Sequence, residues 1–354
     1  MAVFGAILIP AKSYDILRYY EKFDLLDSTT NFVENLKDQN DILVPTYYLF
    51  LKKMNLKKEL IPFFSIFITY FLSLKIFYKI FKNNLLETKY LYLIYLIYFI
   101  NIDFRGSLFG IRNTPAILLS IYGVYKYYIE NKKIGLIYLI LGSMTHIMTL
   151  IYIFILIFLE VIPKKICLKI SKIIFLVSIC GFFLTPKILE NIIKIIPMSD
   201  SYKTHILYYV TGYWATGYLE DANIKQKIFD LLMNFRKYWS ILYLISLFNE
   251  KKIDSKFLSF TFFSMSISNF LGILPNLSGR YYVLPYYLSL IILLMKIRDT
   301  KKIGRMGCLA GITIIIYFLA CIYEMKETYF LSFYKFFNIM YYFLFSSIDY
   351  KNYL

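Results

Sequence analysis

The feature that most constrains this chain is its succession of long apolar runs, at 60–78, 90–104, 112–129, 134–145, 147–162, 170–186, 234–249, 257–275, 281–296 and 306–323. A hydrocarbon core of ~30 Å is crossed by about 20 apolar residues in an α-helix. Runs this close together leave a water-soluble globule too little polar surface. Apolar and aromatic residues make up 59% of the 354 and charged residues 18%; soluble domains average about 45–50% and about 25%. A transmembrane barrel would show ~10-residue alternating strands, and these runs are unbroken. Aromatics at 20% exclude a disordered chain. The expected fold is all-α: a polytopic transmembrane helical bundle of about 10–12 spans, forming one integral membrane domain over 1–354.

Two details refine this. The runs 134–145 and 147–162 are separated only by Ser143, Thr145 and His146. As one straight helix, 134–162 would be about 43 Å long at 1.5 Å per residue and would overshoot the hydrocarbon. A tight hairpin or a broken helix is therefore expected. Residues 2–10 are apolar but only half a span long, and lack the basic flank and cleavage site of a signal peptide. They read as the end of a first helix whose start lies upstream.

The net charge of +17 would suggest a nucleic-acid partner in a soluble protein; here it is a matter of topology, and no nucleic acid is expected. One set of alternate loops, 79–89, 126–133, 163–172, 249–256 and 296–305, holds 18 Lys and Arg against 5 acidic residues. The opposite set, 11–59, 103–112, 187–237, 275–280 and 324–354, holds 21 against 17 over far more residues. By the positive-inside rule the first set is cytoplasmic. The long loops 11–59 and 187–237 are then extracytoplasmic, and each contains an amphipathic helix. In the first, Ile16, Tyr19, Tyr20 and Phe23 fall at i, i+3, i+4 and i+7, which reads as a helix lying on the membrane surface. In the second, Ile224, Ile228, Leu231, Leu232 and Phe235 face away from Lys225, Lys227, Asp230 and Asn234. The Tyr- and Trp-rich stretch 202–218 reads as an interfacial aromatic belt in preference to a sugar-stacking platform.

No nucleotide-binding glycine motif is present in the sequence. The four cysteines sit in or beside apolar runs without metal spacing, and His146 and His205 are the only histidines. No metal and no cofactor are expected. Ionisable groups at membrane depth are functional candidates. They are Arg105 and Arg112 in FRGSLFGIRNTPA, His146, and Arg280 in PNLSGRYYVLP, all at the outer side. Outer arginines run against the positive-inside bias. A guanidinium offers a planar fork suited to a diphosphate, and imidazole is the side-chain type best suited to take a proton near neutral pH.

An ordered set of short motifs accompanies these groups: Tyr14, Asp15, Arg18, Tyr19 and Tyr20 in Y-D-x-x-R-Y-Y; Arg112 and Ala116 in R-x-x-x-A; His146, Leu150 and Ile151 in H-x-x-x-L-I; and Arg280, Tyr281 and Tyr282 in R-Y-Y. In order and spacing the chain resembles the EpsG-like family of bacterial membrane polysaccharide polymerases, related to the Wzy type. The resemblance implies transfer of a growing glycan between polyprenyl-diphosphate-linked oligosaccharides, at the outer face of the cytoplasmic (inner) membrane. It implies membrane lipids as surroundings, with a chain-length regulator and a flippase as partner proteins. The residues assigned catalysis are His146, Arg112 and Arg280; those assigned substrate binding are Arg105, Asp15, Arg18 and Tyr281. Asp15 and Asp103 are the substitutes for His146 as base. The rivals are an O-antigen-type ligase, a lipid-linked glycan flippase or transporter, and an envelope scaffold.

Overall fold

A computed structural model of the chain describes residues 15–82, 100–180, 186–195, 200–212, 224–300 and 303–329, apart from 28, 30, 37–40, 103–105, 108–109 and 273. Every regular element among them is helical. The chain divides into two compact units. One comprises Met1–Gly123, Leu136–Leu150 and Phe318–Leu354; the other comprises Val124–Gly135 and Ile151–Tyr317.

The first unit begins with α1 (Asp15–Leu25). Its helical apolar spacing buries Ile16, Tyr20 and Phe23 and leaves Arg18, Glu21, Lys22 and Asp24 exposed. A short α2 (Phe32–Leu36) and then α3 (Leu43–Lys53) follow. Tyr48 of α3 receives Tyr19 and Phe23 edge-on, each at 6.5 Å, geometry worth about 0.5–1.5 kcal/mol per aromatic pair. Next come α4 (Leu60–Phe81), α5 (Asn113–Val124), continued by a π-turn at Tyr125–Ile129, and α6 (Gly135–Thr145).

Helices α5 and α6 touch at backbone distance. A Cβ on Gly142 would lie 2.7 Å from Ser120 Oγ and 2.9 Å from the Ala116 carbonyl oxygen. Small residues at such a crossing let two helices approach closely without a hydrophobic driving force. Gly142→Leu should therefore force the pair apart. The expected cost is about 1–3 kcal/mol or more, read as a lowered melting temperature of the detergent-purified protein; an unchanged melting temperature would mean that the two helices do not abut there.

After Thr145 the helix stops. His146 is extended (φ −152°, ψ 119°), Ile147–Thr149 form one 3₁₀ turn, and α7 (Leu150–Val161) resumes. The apolar stretch 134–162 is thus a broken helix, and the break falls on His146.

The second unit contains most of α7, then α8 (Lys164–Ile179), α9 (Pro186–Ile195), α10 (Asp200–Thr211), α11 (Ile224–Ser246), α12 (Ser255–Phe270), α13 (Pro275–Tyr281), α14 (Val283–Thr300) and α15 (Arg305–Tyr329), the last continuing past the unit boundary. Its most extensive helix packing, among the described residues, is α8 on α12. Asp254 caps α12, accepting from the Lys256 and Phe257 amides at 2.9 and 3.0 Å. Phe175, Phe248 and Phe262 interlock with centroids 5.1–6.1 Å apart. Between the rings, buried Ser259, Ser264 and Ser266 donate to carbonyls four residues back at 2.7–2.8 Å. Each hydroxyl is satisfied inside its own helix, so the interface stays thin without orphaned polar groups. Asn269 donates across to Ser178 Oγ at 3.1 Å.

Two helices among the described residues are long and apolar enough to cross a bilayer, Leu60–Phe81 and Leu277–Thr300. Gly135–Thr145, Ile147–Val161 and Arg305–Cys321 are apolar but shorter. Among the described residues the runs thus give fewer full-length apolar helices than expected; α5 and α6, for example, have 12 and 11 residues. The run 90–104 falls almost wholly outside the described residues, as do 2–10 and 330–354. The second amphipathic stretch also differs from expectation. Residues 224–246 form one helix, so the loop boundary drawn at 237 lies inside it. Its apolar face is open over the first turns: Ile224, Ile228 and Leu231 are at least half exposed, while Arg236 is buried.

Three of the basic loops grouped by charge alternation do come together. Tyr127, Tyr128, Asn131 and Lys133 of the first, Lys164 of the second and Asp254 and Lys256 of the third border one cleft in the second unit.

Candidate functional site

A cluster of charge forms in the first unit where the α5–α6 pair meets the segment before α3. Arg112 stands immediately before α5, one turn ahead of Ala116, to whose amide its carbonyl accepts at 3.2 Å. His146 stands immediately after α6, one turn past Gly142, to whose carbonyl its amide donates at 2.9 Å. Since Gly142 seats against Ala116, the antiparallel pair delivers both residues to the same end. The Ile42 amide donates to the Met144 carbonyl at 2.9 Å, which pins the preceding Asp41 between them.

Asp41 is the hub. Its Oδ2 accepts from Arg112 Nη1 at 2.5 Å. Its Oδ1 accepts from the Ile147 amide at 3.2 Å and lies 3.4 Å from His146 Nδ1, an ion-pair distance without hydrogen-bond alignment. The carboxylate is 2% exposed, while the Arg112 and His146 side chains are 37% and 15% exposed. The carboxylate is thus covered and both partners keep access to what lies outside. Burial alone would push the Asp41 carboxyl up; the His146 imidazole, the Arg112 guanidinium and the Ile147 amide outweigh it and hold it below the ordinary 3.8.

Arg112 is held from a second side. Its Nε donates to Tyr19 Oη at 3.0 Å, and the guanidinium lies 5.5 Å from the Tyr19 ring centroid. Tyr19 belongs to α1, so the amphipathic helix is part of the site. Lys22 of α1 is nearby: although the residue is exposed as a whole, its ammonium is partly desolvated, which with the charges of Arg112 and of its neighbour Arg18 holds it below 10.5. One buried carboxylate thus faces Arg112, His146 and the Lys22 ammonium.

Of the residues expected from sequence, Arg112 and His146 therefore gather on Asp41 in the first unit, and Arg18 lies beside Lys22 in the same unit. Arg105, the alternative base Asp103 and the side chain of Asp15 lie outside the described residues. Arg280 and Tyr281 are on α13 in the second unit, where Tyr281 packs against the apolar cluster of Ile193, Val210, Leu271 and Leu274. Helix α13 and the residue that caps it are tied to α11 at two points a turn apart: Lys237 Nζ donates to Ser278 Oγ at 2.5 Å, and Arg236 Nη2 to Tyr282 Oη at 2.9 Å. The Arg236 guanidinium lies 3.1 Å from the Tyr317 ring centroid. Sequence reasoning missed Asp41, Lys22 and Arg236. Asp41 carries a weak signal, an acid next to an apolar start at Ile42, but it stands in a polar stretch among other acids.

The family model of the EpsG family matches residues 6–338. The chain belongs to the EpsG family. No curated protein and no solved structure matches it. The match spans Tyr19, Asp41, Arg112 and His146 of the first unit and Arg280 of the second. EpsG-family membership fits a role in polysaccharide synthesis at a membrane.

Proposed function

We propose that this EpsG-family chain polymerises polyprenyl-diphosphate-linked oligosaccharide repeat units into a surface polysaccharide, as a multi-pass bundle in the bacterial inner membrane with its site on the outer side. The supporting observation is the Asp41 hub, which joins a guanidinium and an imidazole at one helix end. In chain order Arg112 and His146 each lie one helix away from the basic loop 126–133, which charge alternation assigns to the cytoplasm.

The chemistry follows from the groups. A hydroxyl oxygen of the acceptor glycan attacks the anomeric carbon of the donor. The bond from that carbon to the diphosphate oxygen breaks, and the electron pair leaves with the carrier diphosphate. Arg112, aided by Lys22 and Arg18, stabilises the charge that develops there. His146 takes the hydroxyl proton. Asp41 faces Nδ1, which leaves Nε2 as the accepting nitrogen and places a carboxylate against the imidazolium that results. Arg280 is assigned a second contact to the diphosphate, as a proposal that stands separately from the Asp41 cluster.

The test is the size of lipid-linked product in cells. His146→Ala, expressed at the wild-type level, should leave single repeat units where the parent makes long chains. Normal chain length would remove His146 from the site. Normal chain length with loss of transfer to a second acceptor would favour the ligase instead.

A further inference from the structure

The cleft lined by Lys133, Lys164 and Lys256 in the second unit is not used by the reading above. It is bordered by Tyr127, Asn131 and Lys133 after α5, by Glu160 and Lys164 around the α7–α8 turn, and by Lys256 and its neighbour Asp254 at the start of α12. Its volume is about 240 Å³, below the roughly 300–1,000 Å³ of sites for drug-sized ligands.

Both acids in its wall are already engaged. Glu160 pairs with Lys256 at 2.7 Å. Asp254 is committed to the α12 amides at 2.9 and 3.0 Å and is only loosely approached by Lys164, at 3.5 Å. The carboxylates are therefore poor partners for an incoming cation. Lys133 is exposed and has no ion-pair partner among the described residues, and the Lys164 side chain is 65% exposed. The groups still able to bind are cationic or neutral donors, which selects an anion.

The surroundings add a second constraint. Sequence neighbours of the lining residues are exposed and apolar: Ile134 next to Lys133, Ile157, Phe158 and Val161 near Glu160, and Ile166 just after Lys164 are 46–79% exposed. A polar, cation-lined cleft of headgroup size, with open apolar side chains next in sequence to its lining residues, matches an amphiphile with a phosphate head and hydrocarbon tails. We propose that this cleft binds the phosphate headgroup of an anionic glycerophospholipid, with the acyl chains along α7. The same chemistry could accept a free glycerol phosphate, and the experiment separates the two sources.

The full chain is reconstituted in nanodiscs of phosphatidylcholine. Its melting temperature is followed as dioleoyl phosphatidylglycerol replaces part of the phosphatidylcholine, and separately as soluble glycerol 1-phosphate is added. Lys133→Gln/Lys164→Gln is compared with Lys251→Gln/Lys252→Gln, a pair on an exposed basic loop of the same unit outside the cleft wall. Phosphatidylglycerol should raise the melting temperature saturably. The cleft variant should need about 30-fold more of it, from two lysine contacts near a membrane surface, and the control variant should behave like the parent. A shift from glycerol 1-phosphate alone of equal size would assign the cleft to a soluble phosphate. Equal loss in both variants, or no response to either phosphate compound, would overturn the site. None of these outcomes depends on polymer synthesis, so failure here leaves the polymerase reading intact.

Discussion

Arg112→Lys should behave almost as a null allele, although the charge is kept. The guanidinium spans two anchors, Asp41 Oδ2 through Nη1 and Tyr19 Oη through Nε. A lysine has one nitrogen at the end of a flexible stem and cannot satisfy both while presenting donors to a phosphate. Removal of one preorganised donor to developing negative charge costs roughly 10²–10³ in turnover, and polymer should be undetectable in cells. Tyr19→Phe removes only one of the two anchors and should give a milder, intermediate loss. The purified protein should remain folded in both variants, since the Arg112 side chain is 37% exposed. Long polymer from Arg112→Lys would show that a point charge suffices and that the fork has no role.

Asp41→Asn should lower activity as strongly by another route. The amide keeps the shape but not the charge, so it cannot hold both Arg112 and the His146 imidazolium. An amide facing an imidazole also selects the wrong tautomer for a base, an effect that reaches roughly 10⁴ where a carboxylate–histidine pair is catalytic. The same substitution should leave a mark on stability. The Asp41 carboxyl is depressed below 3.8 in the folded protein. Its contribution to stability is therefore full above that value and disappears as pH falls through the lower, folded one. Parent and Asp41→Asn should differ in melting temperature at pH 6, and the difference should shrink below about pH 4. A difference that grows on acidification would reverse the sign of the linkage.

Part of this site could be read directly from the sequence. Arg112 and His146 stood out because arginine and histidine are scarce in an apolar chain and both bordered apolar runs. Helix α1 was legible because Ile16, Tyr20 and Phe23 repeat at helical spacing, but its apolar face, expected on the membrane surface, is buried in protein instead, with Tyr19 and Phe23 edge-on to Tyr48. The hub was not legible. Asp41 lies 71 residues from Arg112 and 105 from His146, and one acid among Asp38, Asn40 and Asp41 has nothing to distinguish it from a solvated loop charge. What sets it apart is burial, which comes from the Ile42 to Met144 contact and not from local pattern. Arg236 was hidden likewise: apolar periodicity over 224–235 marks a stripe but not what covers it, and the buried residue is the cation at its end. The broken helix was anticipated from length, yet the extended backbone at His146 depends on how α6 ends against α5.

The direct test of the account is binding of polyprenyl diphosphate to the purified protein in nanodiscs, compared with polyprenyl monophosphate and with Arg112→Ala. The parent should hold the diphosphate at least about tenfold tighter than the monophosphate, the equivalent of one good charge-assisted contact, and Arg112→Ala should erase that preference. Equal affinity for the two lipids in the parent, or an unchanged preference in Arg112→Ala, would contradict it.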